Sequence, residues 1–292
     1  NSLWLNTSKT DQRFRTSYFN QIQQYYEGTA QTVQDDNAVK EINQWVDEKT
    51  NHKIPSIVSD NDFWACLVNA VYFSGRWQNE FSEENTSPAT FTDRNGQKSQ
   101  IDFMNRTGWM SYAETQGVKM VELPYLNRVD HIKELANGEM DITVEQYDDL
   151  DISMYLLMGE GKVTNPEKLL KTAQFDSQYV KLSLPKFQVE YQADLIPIFK
   201  QFGMKKTMDL ENAEFEPMFN QGTMGLDAAV HKTYIKVDEK GTEAAAVTFL
   251  GMAGSSLPPE PIVFAADHPF TFVIKDNLNQ QILFMGEYAF AK

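Results

Sequence analysis

From Phe63 to Phe73 the chain reads Phe-Trp-Ala-Cys-Leu-Val-Asn-Ala-Val-Tyr-Phe, apolar except at Asn69 and halted by Ser74-Gly75. A run without polar alternation predicts a strand covered on both faces, and so one in the middle of a sheet. That strand needs a layer on each side. The chain has 292 residues, the length of one large or two ordinary domains, and can bury a core of that kind. Its 41% hydrophobic and 12% aromatic residues exclude a disordered chain, and no apolar stretch approaches the ~18 residues of a spanning helix. The 26 Lys and Arg against 41 Asp and Glu give a net charge of −15, which repels phosphate backbones and anionic lipid. Nucleic acid and membrane are therefore not expected partners.

Around this strand the pattern is mixed. Residues 2–5 predict a short strand, and Asp11 to Tyr26 places Phe14, Tyr18, Ile22 and Tyr25 on one helical face. A second helix is predicted with Asn37 as its cap and Val39, Ile42, Trp45 and Val46 turned inward. From Ala89 to Ile152 short β-prone segments alternate with turn residues, which predicts antiparallel strands, and Ile152–Met158 predicts another. The acidic stretch from Asp130 to Asp151 reads as a solvated insertion or an extended hairpin. Short helices around 166–173 and 195–202 flank a strand over 180–187. No Pro/Gly/Ser-rich linker and no internal repeat divide the chain, so the fold class is α+β.

Catalytic patterns are missing. The four histidines, at 52, 131, 231 and 268, form no His-x-x-x-His pair, and Cys66 has no second cysteine to join it, so no zinc ligand set of ordinary spacing exists. Cys66 lies inside the apolar run and reads as a buried structural thiol rather than a nucleophile. Gly254-Ser255-Ser256-Leu257 lacks the spaced glycine of a nucleophile elbow. Gly159-Glu160-Gly161-Lys162 is a turn, not a phosphate loop. A hydrolase using His231 or His268 with Ser255 has no motif behind it. No metal site and no cofactor are expected.

The segment from Val237 to Pro261 follows neither a helical nor a strand burial pattern: small residues dominate, then prolines at 258, 259 and 261. It reads as a long exposed loop, with a linker or a short helix over 244–246 capped by Thr242 as the plainer alternatives. Thr242, Ala244, Ala246, Thr248 and Leu250 alternate, so the segment is also compatible with an extended state inside a sheet.

The string Glu239-Lys240-Gly241-Thr242-Glu243-Ala244-Ala245-Ala246-Val247-Thr248 resembles the hinge of the reactive-centre loop of inhibitory serpins. Distant segments share the resemblance: Leu67 to Trp77, Ala229-Val230-His231-Lys232, Asp267-His268-Pro269-Phe270 and Phe284-Met285-Gly286-Glu287. It implies a serpin fold over 1–292 as a single domain, with a large mixed central sheet, smaller antiparallel sheets, surrounding helices and a mobile reactive-centre loop at 239–261. Against the family pattern, Asn1-Ser2-Leu3-Trp4 looks like the middle of a strand, so an amino-terminal portion is expected to be missing from this sequence.

The resemblance also implies a mechanism, irreversible trapping of a serine protease as an acyl-enzyme when the cleaved loop inserts into the sheet. Counting from Glu239 puts the scissile bond at Ser255–Ser256, with Met252 or Ala253 used if the register shifts. A small polar Ser255 suits an elastase-like or subtilisin-like pocket. Papain-like cysteine proteases are a further class of target. Asn69 and His231 match the family's shutter pair, and Lys186 and Glu239 its breach pair; taken as a plain surface ion pair, the latter is worth ~0–1 kcal/mol. Secretion, a monomeric state and the absence of heparin-type activation are expected as well. The rival reading is a non-inhibitory serpin, a chaperone or carrier.

Overall fold

The computed structural model describes residues 1–134, 140–147, 149–209, 212–213, 215, 217–220, 224–242 and 259–291. Its first elements are β1 (Ser2–Asn6), α1 (Thr16–Tyr26), β2 (Thr29–Val33), α2 (Asp35–Lys49), β3 (Ala65–Tyr72), β4 (Gly75–Arg76) and β5 (Thr86–Thr92). There follow β6 (Lys98–Thr115), β7 (Val118–Pro124), β8 (Arg128–Glu134), β9 (Met140–Gln146), β10 (Ile152–Met158), α3 (Pro166–Thr172) and β11 (Asp176–Pro185). The last are β12 (Phe187–Asp194), α4 (Ile196–Gln201), β13 (Ala228–Val237), β14 (Gly241–Thr242), β15 (Ile262–Ala265), β16 (Phe270–Asp276) and β17 (Gln281–Tyr288). Backbone contacts group the chain into two compact units, Asn1–Phe73 with Val189–Ile235 and Ser74–Gln188 with Lys236–Lys292.

The first unit holds a mixed five-stranded sheet in the order β12-β13-β3-β1-β2. The apolar run forms its middle strand, with β13 parallel on one side and β1 antiparallel on the other. Cys66 and Val68 point into a cluster with Trp4, Ala38, Ile42 and Val46, while Ala65 faces Leu5, Phe219 and Met224. Cover on both faces is confined to the start of the strand, because on the face opposite Cys66 only Ala65 is buried and Leu67, Asn69 and Val71 are half-buried.

Both helix starts differ from their predicted positions, and in each case a distant group decides. α2 begins at Asp35, where the backbone N–H of Asp35 donates to Ser8 Oγ at 3.0 Å, and Asn37 caps nothing. This acceptor replaces the local cap, and Ala38, Ile42 and Val46 form the buried stripe in place of Val39. Asp35 and Asp36 at the first turn and Lys49 at the last suit the helix dipole. α1 begins at Thr16 rather than Asp11 because Phe14 is drawn into a bridge with Phe219, and Arg15 N–H donates to the Met218 carbonyl at 2.8 Å.

The second unit holds an eight-stranded sheet, β15-β11-β6-β7-β10-β16-β17 with β5 beside β6, the wider of the two among the described residues. One strand is much longer than the expected short segments: β6 runs for 18 residues and pairs in turn with β5, β11 and β7. Every ladder is antiparallel except β11 with β15. Phe187, Phe270, Phe272 and Tyr288 pack ring to ring at 5.2–5.8 Å. The acidic insertion is a hairpin of β8 and β9. No helix among the described residues is long and apolar enough to cross a membrane.

Cys66 is fully buried, and that burial pushes its thiol up to about 12. The folded protein should therefore resist a disulfide-exchange reagent at pH 8 and titrate one thiol once unfolded in urea. Fast reaction of the native protein would contradict this placement.

Candidate functional site

The predicted hinge begins where β13 ends. After Val237 a tight turn reverses the chain, with Gly241 N–H donating to the Asp238 carbonyl at 3.2 Å and Asp238 N–H to the Gly241 carbonyl at 2.9 Å. Gly241 has φ +140°, a conformation closed to other residues. A Cβ there would also meet Arg76 Cα at 2.7 Å and Trp77 N at 2.9 Å. The residue must be glycine for both reasons. Gly241 and Thr242 pair antiparallel with Arg76 and Gly75, so the third and fourth residues of the hinge string lie on the edge of β4. Trp77 N–H donates to the Lys240 carbonyl, Phe81 N–H to that of Glu239 and Trp77 Nε1–H to that of Asp238, at 2.8–3.0 Å. The start of the loop is thus clamped by backbone groups and the Trp77 indole on the segment after β4.

Glu239 closes the clamp with its side chain. It is 6% exposed, its Oε2 lies 3.0 Å from Lys186 Nζ, and its Oε1 accepts from Thr86 Oγ1 at 2.8 Å. This is the predicted Lys186–Glu239 pair, but with a buried carboxylate rather than a surface one. Burial raises the carboxyl's affinity for a proton; the bonds from Lys186 and Thr86 outweigh it and leave the group below its ordinary range. On Lys186 burial acts downward, and the carboxylate holds the ammonium above its ordinary value. Thr86 carried no signal in the sequence, since a threonine in a β-prone stretch is unremarkable until the fold sets it against Glu239.

In the first unit, Asn69 and His231 are register partners on the parallel strands β3 and β13. Their side chains meet: Asn69 donates through Nδ2 to Asn1 Oδ1, which leaves its own Oδ1 to accept from His231 Nδ1–H. The pair ties the two strands across their ladder. Burial lowers the His231 imidazole's affinity for a proton, so the neutral form is the stable one.

The other predicted positions are not gathered here. Glu243, Ala244, Ala245, Ala246, Val247, Thr248, Ser255 and Ser256, with Met252 and Ala253, lie outside the described residues, as does the side chain of Thr242. His268 is engaged by its neighbour Asp267 at 2.7 Å. Among the described residues no three His, Cys, Asp or Glu side chains gather in metal-binding geometry. Gly159-Glu160-Gly161-Lys162 forms the bend after β10, on the wall of a cavity of about 700 Å³ that Lys119 and Thr164 also line.

Two pH effects follow, of the same sign but in different windows. A lowered carboxyl stabilises the fold above its ordinary value of 4.5 and loses that contribution as the pH falls through its folded value. Glu239→Gln should cost about 1–2 kcal/mol at pH 7 and progressively less as the pH drops below 4.5, measured by urea unfolding. A lowered imidazole leaves stability intact above its ordinary 6.5 and erodes it as the pH falls below. The thermal midpoint should fall between pH 7.5 and 5.5 in the wild type, and the fall should be smaller in His231→Gln. Parallel curves for either variant and the wild type would remove that residue from the account.

Comparison with known proteins places these features in a family. Residues 1–289 match the family described as Serpin (serine protease inhibitor). A serpin-like protein of Thermococcus kodakarensis is 32% identical, the match covering 98% of this chain and 64% of that one. Serpin B13 of Homo sapiens is 29% identical, covering 94% of this chain and 70% of the relative. The chain thus spans about two thirds of the length of these curated relatives. Among solved structures, Serpin48 of the insect Tenebrio molitor superposes with a TM-score of 0.77 at 24% identity, over all of this chain and 75% of its own. The hinge string, the mixed sheet and these matches agree: the chain belongs to the serpin family.

Proposed function

We propose that this chain serves an irreversible suicide-substrate inhibitor of serine proteases, with an elastase-like or subtilisin-like enzyme as its target. The observation that carries the reading is the direct parallel ladder from Ala228–Tyr234 to Cys66–Tyr72, with no strand between β13 and β3. A strand entering there would run antiparallel to both neighbours. The reversal at Asp238–Gly241 starts the following segment in that direction, as a hairpin would.

In this mechanism the protease's serine attacks the carbonyl of Ser255, the bond to Ser256 breaks, and the amine of Ser256 leaves with the carboxyl-side chain. The remaining ester tethers the enzyme to Ser255. Once cut, the segment from Gly241 inserts between β3 and β13, and some fifteen residues at ~3.3 Å each carry the enzyme about 50 Å. Small side chains at 244–246 avoid overpacking on entry. Insertion must outrun deacylation. The Asn69–His231 contact spans the two strands that part, and the Glu239–Lys186–Thr86 clamp holds the hinge in place beforehand. Ser255 offers a small polar group to the primary pocket, which trypsin-like enzymes reject. Secretion, a monomeric state and action without a cofactor complete the reading, with papain-like cysteine proteases as a further target class.

Incubation with pancreatic elastase, subtilisin, trypsin, chymotrypsin and papain should give a complex that survives a denaturing gel with elastase or subtilisin. Mass spectrometry of that complex should find the cut at 255–256. Thr242→Arg should keep the fold and be cleaved at an unchanged rate, yet lose at least nine-tenths of the complex, because the first inserting residue would bury an unpaired charge. Loop cleavage with neither complex nor gain in thermal stability would favour a non-inhibitory chaperone or carrier.

A further inference from the structure

In the second unit, β6, β11 and β15 share an open face. Val180, Leu182, Leu184 and Phe264 point to the other side and are fully buried. Toward solvent stand Trp109, Tyr179, Lys181 and Val263, in one contiguous stripe. Tyr179 is the register partner of Trp109 and Val263 that of Lys181, with Tyr179 and Lys181 two residues apart on β11. The Trp109 and Tyr179 rings lie 5.6 Å apart at 58°. Trp109 is 63% exposed and Val263 56%. Lys181 is exposed and has no ion-pair partner among the described residues. Trp and Tyr are the residue types that dominate interface hot spots, and the exposed Lys181 beside them supplies a charge for steering.

The chain decides what can reach this stripe. Ile262, the first residue of β15, is six positions beyond Ser256, a span of at most about 20 Å. By composition, prolines at 258, 259 and 261 make that span a stiff spacer. A protease domain of ordinary size has a radius of gyration of about 17 Å, so one bound at the 255–256 bond is large enough to reach the β15 edge.

We propose that Trp109, Tyr179, Lys181 and Val263 form a secondary docking surface for the protease that attacks the loop, matched to an apolar depression with a nearby carboxylate on the rim of its active site. The proposal rests on the inhibitory reading and adds to it a source of selectivity outside the loop. Aromatic contact slows dissociation of the encounter complex before acylation, and Lys181 steers association.

The test uses the full chain and whichever of pancreatic elastase or subtilisin forms the denaturant-stable complex. Trp109→Ala should lower the second-order rate of complex formation at least fivefold with the stoichiometry of inhibition and the thermal midpoint unchanged, and Trp109→Phe should recover most of the rate. Lys181→Glu should lower the rate further at low salt than at high salt. Cleavage of a free peptide spanning 248–259 measures the loop's own reactivity and serves as the reference for that enzyme. If the wild type forms the complex and both Trp109→Ala and Lys181→Glu react within twofold of it, the docking surface is refuted and the inhibitory reading stands. If the wild type traps neither enzyme, the inhibitory reading fails and takes this proposal with it.

Discussion

The five-stranded sheet depends on the parallel ladder between β3 and β13. β3 is its middle strand, and its inward residues Cys66 and Val68 sit at the centre of the first unit's core. Parallel neighbours bond through slanted, evenly spaced hydrogen bonds, somewhat weaker per residue than antiparallel ones. A strand placed between them could bond antiparallel on both sides. The ladder thus completes the core with bonds weaker per residue than an antiparallel pair would make.

Local devices hold the chain in the arrangement observed. Near one end of the ladder's sequence, a turn closed by Gly241 delivers two residues to β4, and the buried Glu239 carboxylate is satisfied by Lys186 and Thr86. Along the ladder itself, the Asn69–His231 contact places a polar tie where apolar side chains would bond nothing. Each is a polar interaction in a partly dehydrated place, costly to leave unmade and easily exchanged for another of its kind. Apolar packing offers no such exchange, which is why the polar residues in these strands draw attention.

Strand and helix types were legible wherever the period was clear. The run at Phe63–Phe73, the strand at Ile152–Met158, the helices near 166 and 196 and the hairpin in the acidic insertion all stand close to their expected places. The boundaries that moved did so through partners far away in sequence. Ser8 sets the start of α2, and the Phe14–Phe219 bridge delays α1. β6 outgrew the short segment expected there because three different strands pair along its length. At the site, Lys186, Glu239, Asn69 and His231 came from motif likeness, whereas Thr86 and the role of the Gly75–Phe81 segment had no signal at all.

By itself the sequence determined the family, the α+β class, the central position of β3 and the glycine and small residues of the hinge, since these rest on pattern and side-chain size. The tertiary structure decided which groups satisfy one another: that Glu239 is buried, that Thr86 shares it with Lys186, that Asn69 and His231 stand in register, and that Trp109 faces water beside Tyr179 of β11. Pairing of that kind is set by through-space distance between strands remote in sequence. No local period encodes that distance; only the packed chain does.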